Sequence, residues 1–299
     1  MAARTPLNLP LGLGLILFLA ACGGAGTQDG TVPEVDSTAT VDQNSQLLRV
    51  GGRVFSIPSP VRSALAIRDA GSAYQRDAAL SLEQGQTLTG RSEQALALGM
   101  YGADLAYATV HQDGQRTLAT LQAIERLSAK LELSNAFDKA LLERFKNNMA
   151  NEDSLLRLSG SAFRAADEYL KMNERDEVST LVLAGGWLEA LHLSLADPKA
   201  AKTQAIVNGV GEQRATLDGL VELLAAAGSD ARTEMLLAGL KDLQIEFKDV
   251  SSTYTFAEPV TDRAARTTYI NSTSSTTIAP ERLAAIAAKV AAIRSTLLA

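Results

Sequence analysis

The sequence predicts an all-α protein: an antiparallel helical bundle of two pseudo-repeated four-helix units, followed by a small β-hairpin and a last C-terminal helix. Three observations predict it. Long segments with apolar residues at helical spacing are separated by short Gly, Asp, Ser and Pro signals, and short loops between long helices make antiparallel neighbours. Of 299 residues, 46% are hydrophobic but only 5% aromatic, so the core must be built from Leu, Ala and Val. Two pairs of segments also repeat at nearly the same interval, the mark of an internal duplication. Gly71-Ser72-Ala73-Tyr74 recurs as Gly160-Ser161-Ala162-Phe163, and Gly99-Met100-Tyr101-Gly102-Ala103-Asp104 as Ala184-Gly185-Gly186-Trp187-Leu188-Glu189.

The chain opens on a targeting segment. Arg4 supplies a positive start, Leu11 to Phe18 form an apolar run too short to span a bilayer comfortably, and Leu19-Ala20-Ala21-Cys22 follows. This resembles a bacterial lipobox, which implies that residues 1–21 are a lipoprotein signal peptide and that Cys22 becomes the lipid-modified first residue. Cys22 is the only cysteine, so no thiol remains for a disulfide, a metal or a nucleophile. Two or three acyl chains hold a protein firmly where one does not, so the membrane is an expected partner through the N-terminal lipid. The expected location is the bacterial cell envelope, on the outer membrane facing the periplasm. From Gly23 to about Asn44 the chain is rich in Gly, Thr, Asp and Ser, and residues 22–57 read as a flexible linker.

The helical domain is expected over residues 58–299, with repeats at 58–150 and 151–249. Ser59 caps and Pro60 starts a first helix that runs to Gly85. The second spans about Ser92–Gln112 and stops at Asp113-Gly114; the third covers Gln115–Leu133. Ser134 caps a fourth through Asn148, and the fifth covers Asn151–Met172. The sixth covers Arg175–Ala196, and Asp197-Pro198 opens the seventh. Gly228-Ser229 ends that helix and caps an eighth that continues to Lys248. Over 250–299 the pattern changes: Ser252–Phe256 and Thr267–Ile270 are β-branched and aromatic and read as the two strands of a hairpin. Pro280 then starts the last helix, with Leu283, Ile286, Val290 and Ile293 on its apolar face.

Charge limits the partners. The formal net charge is −6, and removing the segment that carries Arg4 leaves −7. Nucleic acid is excluded as a partner because phosphate binding needs a basic face.

Candidate chemistry lies on the second and sixth helices, which are apolar nearly all round and therefore central. Tyr101, Asp104, Tyr107 and His111 follow one another at three- or four-residue steps and form a polar stripe. Glu189 and His192 stand three apart on the other helix, beside Trp187, in the Glu-x-x-His spacing that di-iron bundles use. Two readings are open. Asp104, His111, Glu189 and His192 could be ligands of a metal, the one cofactor this pattern suggests, or the groups form a satisfied polar network between two close-packed helices. The second Glu-x-x-His that a di-iron centre needs is absent, since Tyr107 stands in its place. Gly99, Gly102, Gly185 and Gly186 are read as allowing close helix packing. No catalytic constellation is recognised.

Leu98-Gly99-Met100-Tyr101-Gly102-Ala103-Asp104-Leu105-Ala106-Tyr107 and Gly185-Gly186-Trp187-Leu188-Glu189-Ala190 together resemble all-helical bacterial envelope lipoproteins of unassigned activity. The resemblance covers most of the mature domain and implies an envelope lipoprotein. In outline the chain is also similar to imelysin-like iron-regulated proteins, but His111 and His192 lack the His-x-x-Glu signature of that family. The expected function is non-enzymatic: a binding or scaffolding module for an envelope partner protein or a small ligand. The alternative is a metal-binding protein that uses the polar stripe.

Overall fold

The turn and cap residues of the sequence mark the ends of real helices in the computed structural model, which describes residues 45–50, 53–133, 139–148, 172–227 and 230–297, with isolated positions between 150 and 170. All of these fall in one unit, 42–299. The expected signal peptide, Cys22, and the linker up to residue 44 lie outside the described residues, as does the Ser134 cap.

The protein is mostly helical. The first described element is nevertheless a hairpin, β1 (Ser45–Val50) against β2 (Arg53–Pro58), antiparallel, with Val50 opposite Arg53. It occupies what the sequence reading gave to the linker. The intervening Gly51-Gly52 is a two-residue hairpin signal, and Leu47, Val54 and Ile57 supply β-branched or apolar character on either side.

Helix α1 (Pro60–Asp69) starts as expected, with the Ser59 hydroxyl accepting from Arg62 N. It then ends sixteen residues before the expected Gly85. Gly71 adopts φ +78°, a left-handed conformation that costs glycine least, and Gly71 N and Ser72 N return to the carbonyls of Arg68 and Ile67. After an irregular segment with a 3₁₀ turn at Arg76–Ala78 comes the short α2 (Leu82–Thr87). The chain continues through α3 (Arg91–Val110), α4 (Gly114–Lys130) and α5 (Lys139–Asn147). Described positions between Ser154 and Met172 are helical. Then come α6 (Asp176–Leu195), α7 (Gln204–Ala226) and α8 (Ala231–Glu246). Asp197 does not open a long helix. Its Oδ1 caps a turn by accepting from Lys199 N and Ala200 N, and α7 begins only after the Thr203 cap. Likewise Asp230 caps α8.

The expected hairpin becomes an arm of two ladders. β3 (Ser251–Thr255) pairs with β6 (Thr273–Thr277), and β4 (Val260–Asp262) pairs with β5 (Thr267–Tyr269). The two runs proposed as partners therefore do not pair with each other. Asp262 accepts from Ala264 N and Ala265 N and Arg266 has φ 50°, so the tip closes on its nearest strand. The last helix, α9 (Pro280–Leu297), buries Leu283, Ile286, Val290 and Leu297.

Helices α3 and α6 form the centre. All residues of α3 from Gln94 to Val110 except Gly102 are buried, and so is all of α6 from Val178 to Glu189. Although α6 is long and apolar enough to cross a membrane, it lies inside the protein. The two helices touch backbone to backbone. A Cβ on Gly99 would stand 1.9 Å from the Val182 carbonyl oxygen, and one on Gly185 would stand 2.2 Å from that of Leu96. The glycines thus serve close packing, which in turn leaves no space between these helices at that level.

Candidate functional site

A polar stripe on a buried helix needs partners, because an unpaired buried polar group costs about 1–3 kcal/mol. The partner is the irregular chain after α1. Residues 73–81 run antiparallel along α3, and nearly every polar side chain there faces a main-chain group of this strap. Tyr101 donates to the Ser81 carbonyl at 2.7 Å. Asp104 Oδ2 accepts from Leu80 N at 2.9 Å, and Tyr107 Oη accepts from Gln75 N at 2.9 Å. From elsewhere Asp197 Oδ2 accepts from Ala73 N at 3.0 Å, Arg116 donates to the Leu80 carbonyl, and Arg294 donates to the Ala78 carbonyl at 3.0 Å. Apart from the Ala78 N to Gln75 carbonyl bond of its 3₁₀ turn, the strap has no helix or ladder of its own, so side chains satisfy it.

Asp104 and Glu189 meet under the strap, and both are fully buried. Arg294 grips Glu189 with two bonds, Nε to Oε2 at 2.5 Å and Nη2 to Oε1 at 2.8 Å. The second oxygen of Asp104 has no donor facing it, while the Glu189 carboxyl lies within hydrogen-bonding reach. Burial, and then the negative charge of Glu189, raise Asp104 well above the usual carboxylate range. A proton on Asp104 lets its second oxygen donate to Glu189 while the first accepts from Leu80. Burial, with the Asp104 carboxyl, pushes Tyr101 up to about 12.

An unfolded aspartate releases its proton near pH ~3.9, whereas folded Asp104 keeps it to a much higher pH. Through that window the folded state holds a proton the unfolded chain has lost, so Asp104 contributes less stability as pH rises from about 4. Asn at this position keeps one donor and one acceptor without titrating. Urea unfolding across a pH series should therefore show Asp104→Asn gaining on the parent chain as pH increases, with the two converging in acid. Parallel curves would show that Asp104 is ionised in the fold.

The residues proposed from the sequence fall into three groups. Tyr101, Asp104, Glu189 and His192 surround the strap. His111, seven residues from Asp104 and so about 10 Å along the helix, sits in an aromatic cluster with Tyr74 and Tyr107. Its ring stacks on Tyr74 at 5.0 Å between centroids and meets the edge of Tyr107 at 4.7 Å. Tyr74 donates to Asp113 Oδ2 at 3.0 Å. Burial lowers both histidines; Arg68 adds to the effect at His111, and Arg294 at His192. Asp104, His111, Glu189 and His192 do not converge, and among the described residues no group of three or more His, Cys, Asp or Glu is placed to hold a metal ion. Trp187 stands apart on the opposite side of α6, where its Nε1 donates to Gln213 Oε1 at 2.8 Å.

Trp187 borders a groove of about 360 Å³ between α1, α6 and α7. Its walls include the small and apolar Ala66, Ala190, Ala205, Gly209, Ile67 and Leu191, and Arg62 and Glu212 also line it. A Cβ on Gly209 would meet nothing within 4 Å.

Arg294 and Arg116 are not singled out by the sequence, and Asp197 is read there only as a helix cap. Arg294 carried a readable signal: it lies four residues after Val290 and three before Leu297, on the buried face of α9. A charge in that position asks for a buried counter-charge. No family model, no curated protein and no solved structure matches this chain.

Proposed function

We propose that the chain is a lipid-anchored protein of the bacterial cell envelope that works as a non-enzymatic binding or scaffolding module, with the groove at Trp187 as its binding surface. The observation that carries this reading is a contrast between two places. Tyr101, Asp104 and Tyr107 of the central helix are engaged by the chain's own strap, whereas the groove is open, apolar and bordered by a few polar side chains, the usual make-up of a ligand site. The anchor rests on the lipobox at Cys22. We further read the domain as a bundle of two repeated units. The reciprocal contacts of Gly99 with α6 and Gly185 with α3 support that reading at the central pair. The other matched pair supports it less, since Gly71 lies past the end of α1 whereas Ser161 and Ala162 are helical.

Two experiments test the proposal. A photo-crosslinking residue at Ser194, in the groove wall, should give a discrete adduct in intact envelopes, protein or small molecule. Gly209→Leu fills the groove from a position with open space, so the adduct should disappear while the melting temperature holds or rises, as replacing a helix glycine by a better helix former gains up to ~1 kcal/mol. An adduct indifferent to Gly209→Leu would remove the groove from the account. Cys22→Ser should release the folded protein from membranes; retention would refute the anchor.

A further inference from the structure

We infer that the β-arm is a dimerisation element: the outer edge of β3 pairs with β3 of a second copy of this chain. The β3–β6 ladder has two outer edges, and that of β6 is already closed. On β6, Thr276 N–H donates to Asn208 Oδ1 at 2.8 Å, and the Thr276 carbonyl accepts from Gln204 Nε2 at 2.8 Å. The Ser274 carbonyl faces Asn208 Nδ2 at 3.5 Å. Two α7 side chains thus stand in for a third strand. In an antiparallel ladder, residues that turn their main-chain groups away from the partner strand lie opposite each other. Ser252 is opposite Thr276 and Tyr254 opposite Ser274, so Ser252 and Tyr254 present their N–H and C=O groups at the β3 edge. Among the described residues nothing pairs with them.

That edge lacks the usual protection. β3 (SSTYT) carries no charge and no proline, the devices that keep edge strands from pairing. Nearby Tyr254, Phe256, Val260, Tyr269 and Ile270 are between 52% and 70% exposed, five of the nine exposed large hydrophobic side chains among the described residues. A two-stranded ladder is also marginal alone, while four strands are self-sufficient.

Charge and closure select a second copy as the occupant. Within 251–277, Glu258 and Asp262 balance Arg263 and Arg266, so the arm is neutral on a chain of net charge −6. Two copies repel elsewhere and meet here without net repulsion. An edge that pairs with its own copy makes the contact isologous, and it closes at two. A two-fold axis at Thr253 places Ser252 of each copy opposite Tyr254 of the other, with all four outward groups paired and the two Thr253 side chains facing each other. Non-hydrogen-bonded cross-strand positions bring Cβ atoms to about 4.5–5.5 Å, close enough for a disulfide after small adjustment.

The test uses the full chain in detergent. Under mild oxidation Thr253→Cys should give a disulfide-linked species of twice the mass of the mature lipidated chain, in which Cys22 carries no free thiol, whereas Ser275→Cys, one strand further in, should give at most a tenth as much. Sedimentation of the parent chain should show a dimer, and Tyr254→Pro, which removes an edge donor, should halve the mass with an unchanged helical melting profile. Equal crosslinking at both cysteines, or a dimer that survives Tyr254→Pro, overturns the proposal. So does a monomeric parent chain, including one whose arm instead binds anionic vesicles or an extended peptide.

Discussion

Gly99→Ala should destabilise the domain by roughly 4–5 kcal/mol, at the extreme end of single substitutions. The added methyl would lie 1.9 Å from the Val182 carbonyl oxygen and 2.7 Å from Gly186 N. Both are main-chain atoms of α6, so no side chain can swing away. The helices must separate, and interior packing at crystal-like density loses contacts along the whole interface when they do. The loss should appear as a fall in melting temperature on the order of 10 °C or more. Gly114→Ala provides the control, since a Cβ there meets nothing within 4 Å. Equal melting temperatures for the two variants would mean that α3 and α6 are not in backbone contact.

Arg294→Ala should cost about 3–5 kcal/mol, because it strands Glu189 fully buried beside Asp104. It also leaves the Ala78 carbonyl without its donor. The loss is not the worth of the ion pair alone. Taking two charges out of water is expensive, so an apolar pair of similar volume often does as well. Arg294→Leu combined with Glu189→Leu should therefore recover much of the stability that either single change removes. Denaturant midpoints of the three variants check this, and strictly additive losses would show that the two residues act independently.

The helical character was legible because it rests on local signals: Ser59-Pro60, Asp113-Gly114 and the apolar face of α9 each mark a boundary or a buried side through nearby residues alone. The central pair was legible as well, since α3 and α6 are apolar on all sides. What could not be read was the strap. Residues 70–81 contain good helix formers, and only Gly71 marks the end of α1; the segment is held open by bonds to Tyr101, Asp104, Tyr107 and Arg294, which lie 20 to 216 residues away. Tertiary partners override local propensity here. The stripe itself was found, but periodicity shows where polar groups lie on a helix and not what they face. The β3–β6 ladder was missed for the opposite reason: Thr273–Thr277 has neither aromatic nor apolar alternation and is a strand because β3 and the α7 side chains pair with it.

The central claim is that the stripe serves the chain's own strap. Amide hydrogen exchange of Leu80 tests it most directly, because that N–H donates to Asp104, a residue 24 positions away. The account predicts strong protection of Leu80 and Gln75 in the parent chain. In Asp104→Ala it predicts a stability loss of roughly 2–4 kcal/mol, with Leu80 protection collapsing first while the amides of α3 and α6 keep theirs. Rapid exchange of Leu80 in the parent chain, or protection unchanged in Asp104→Ala, would contradict it.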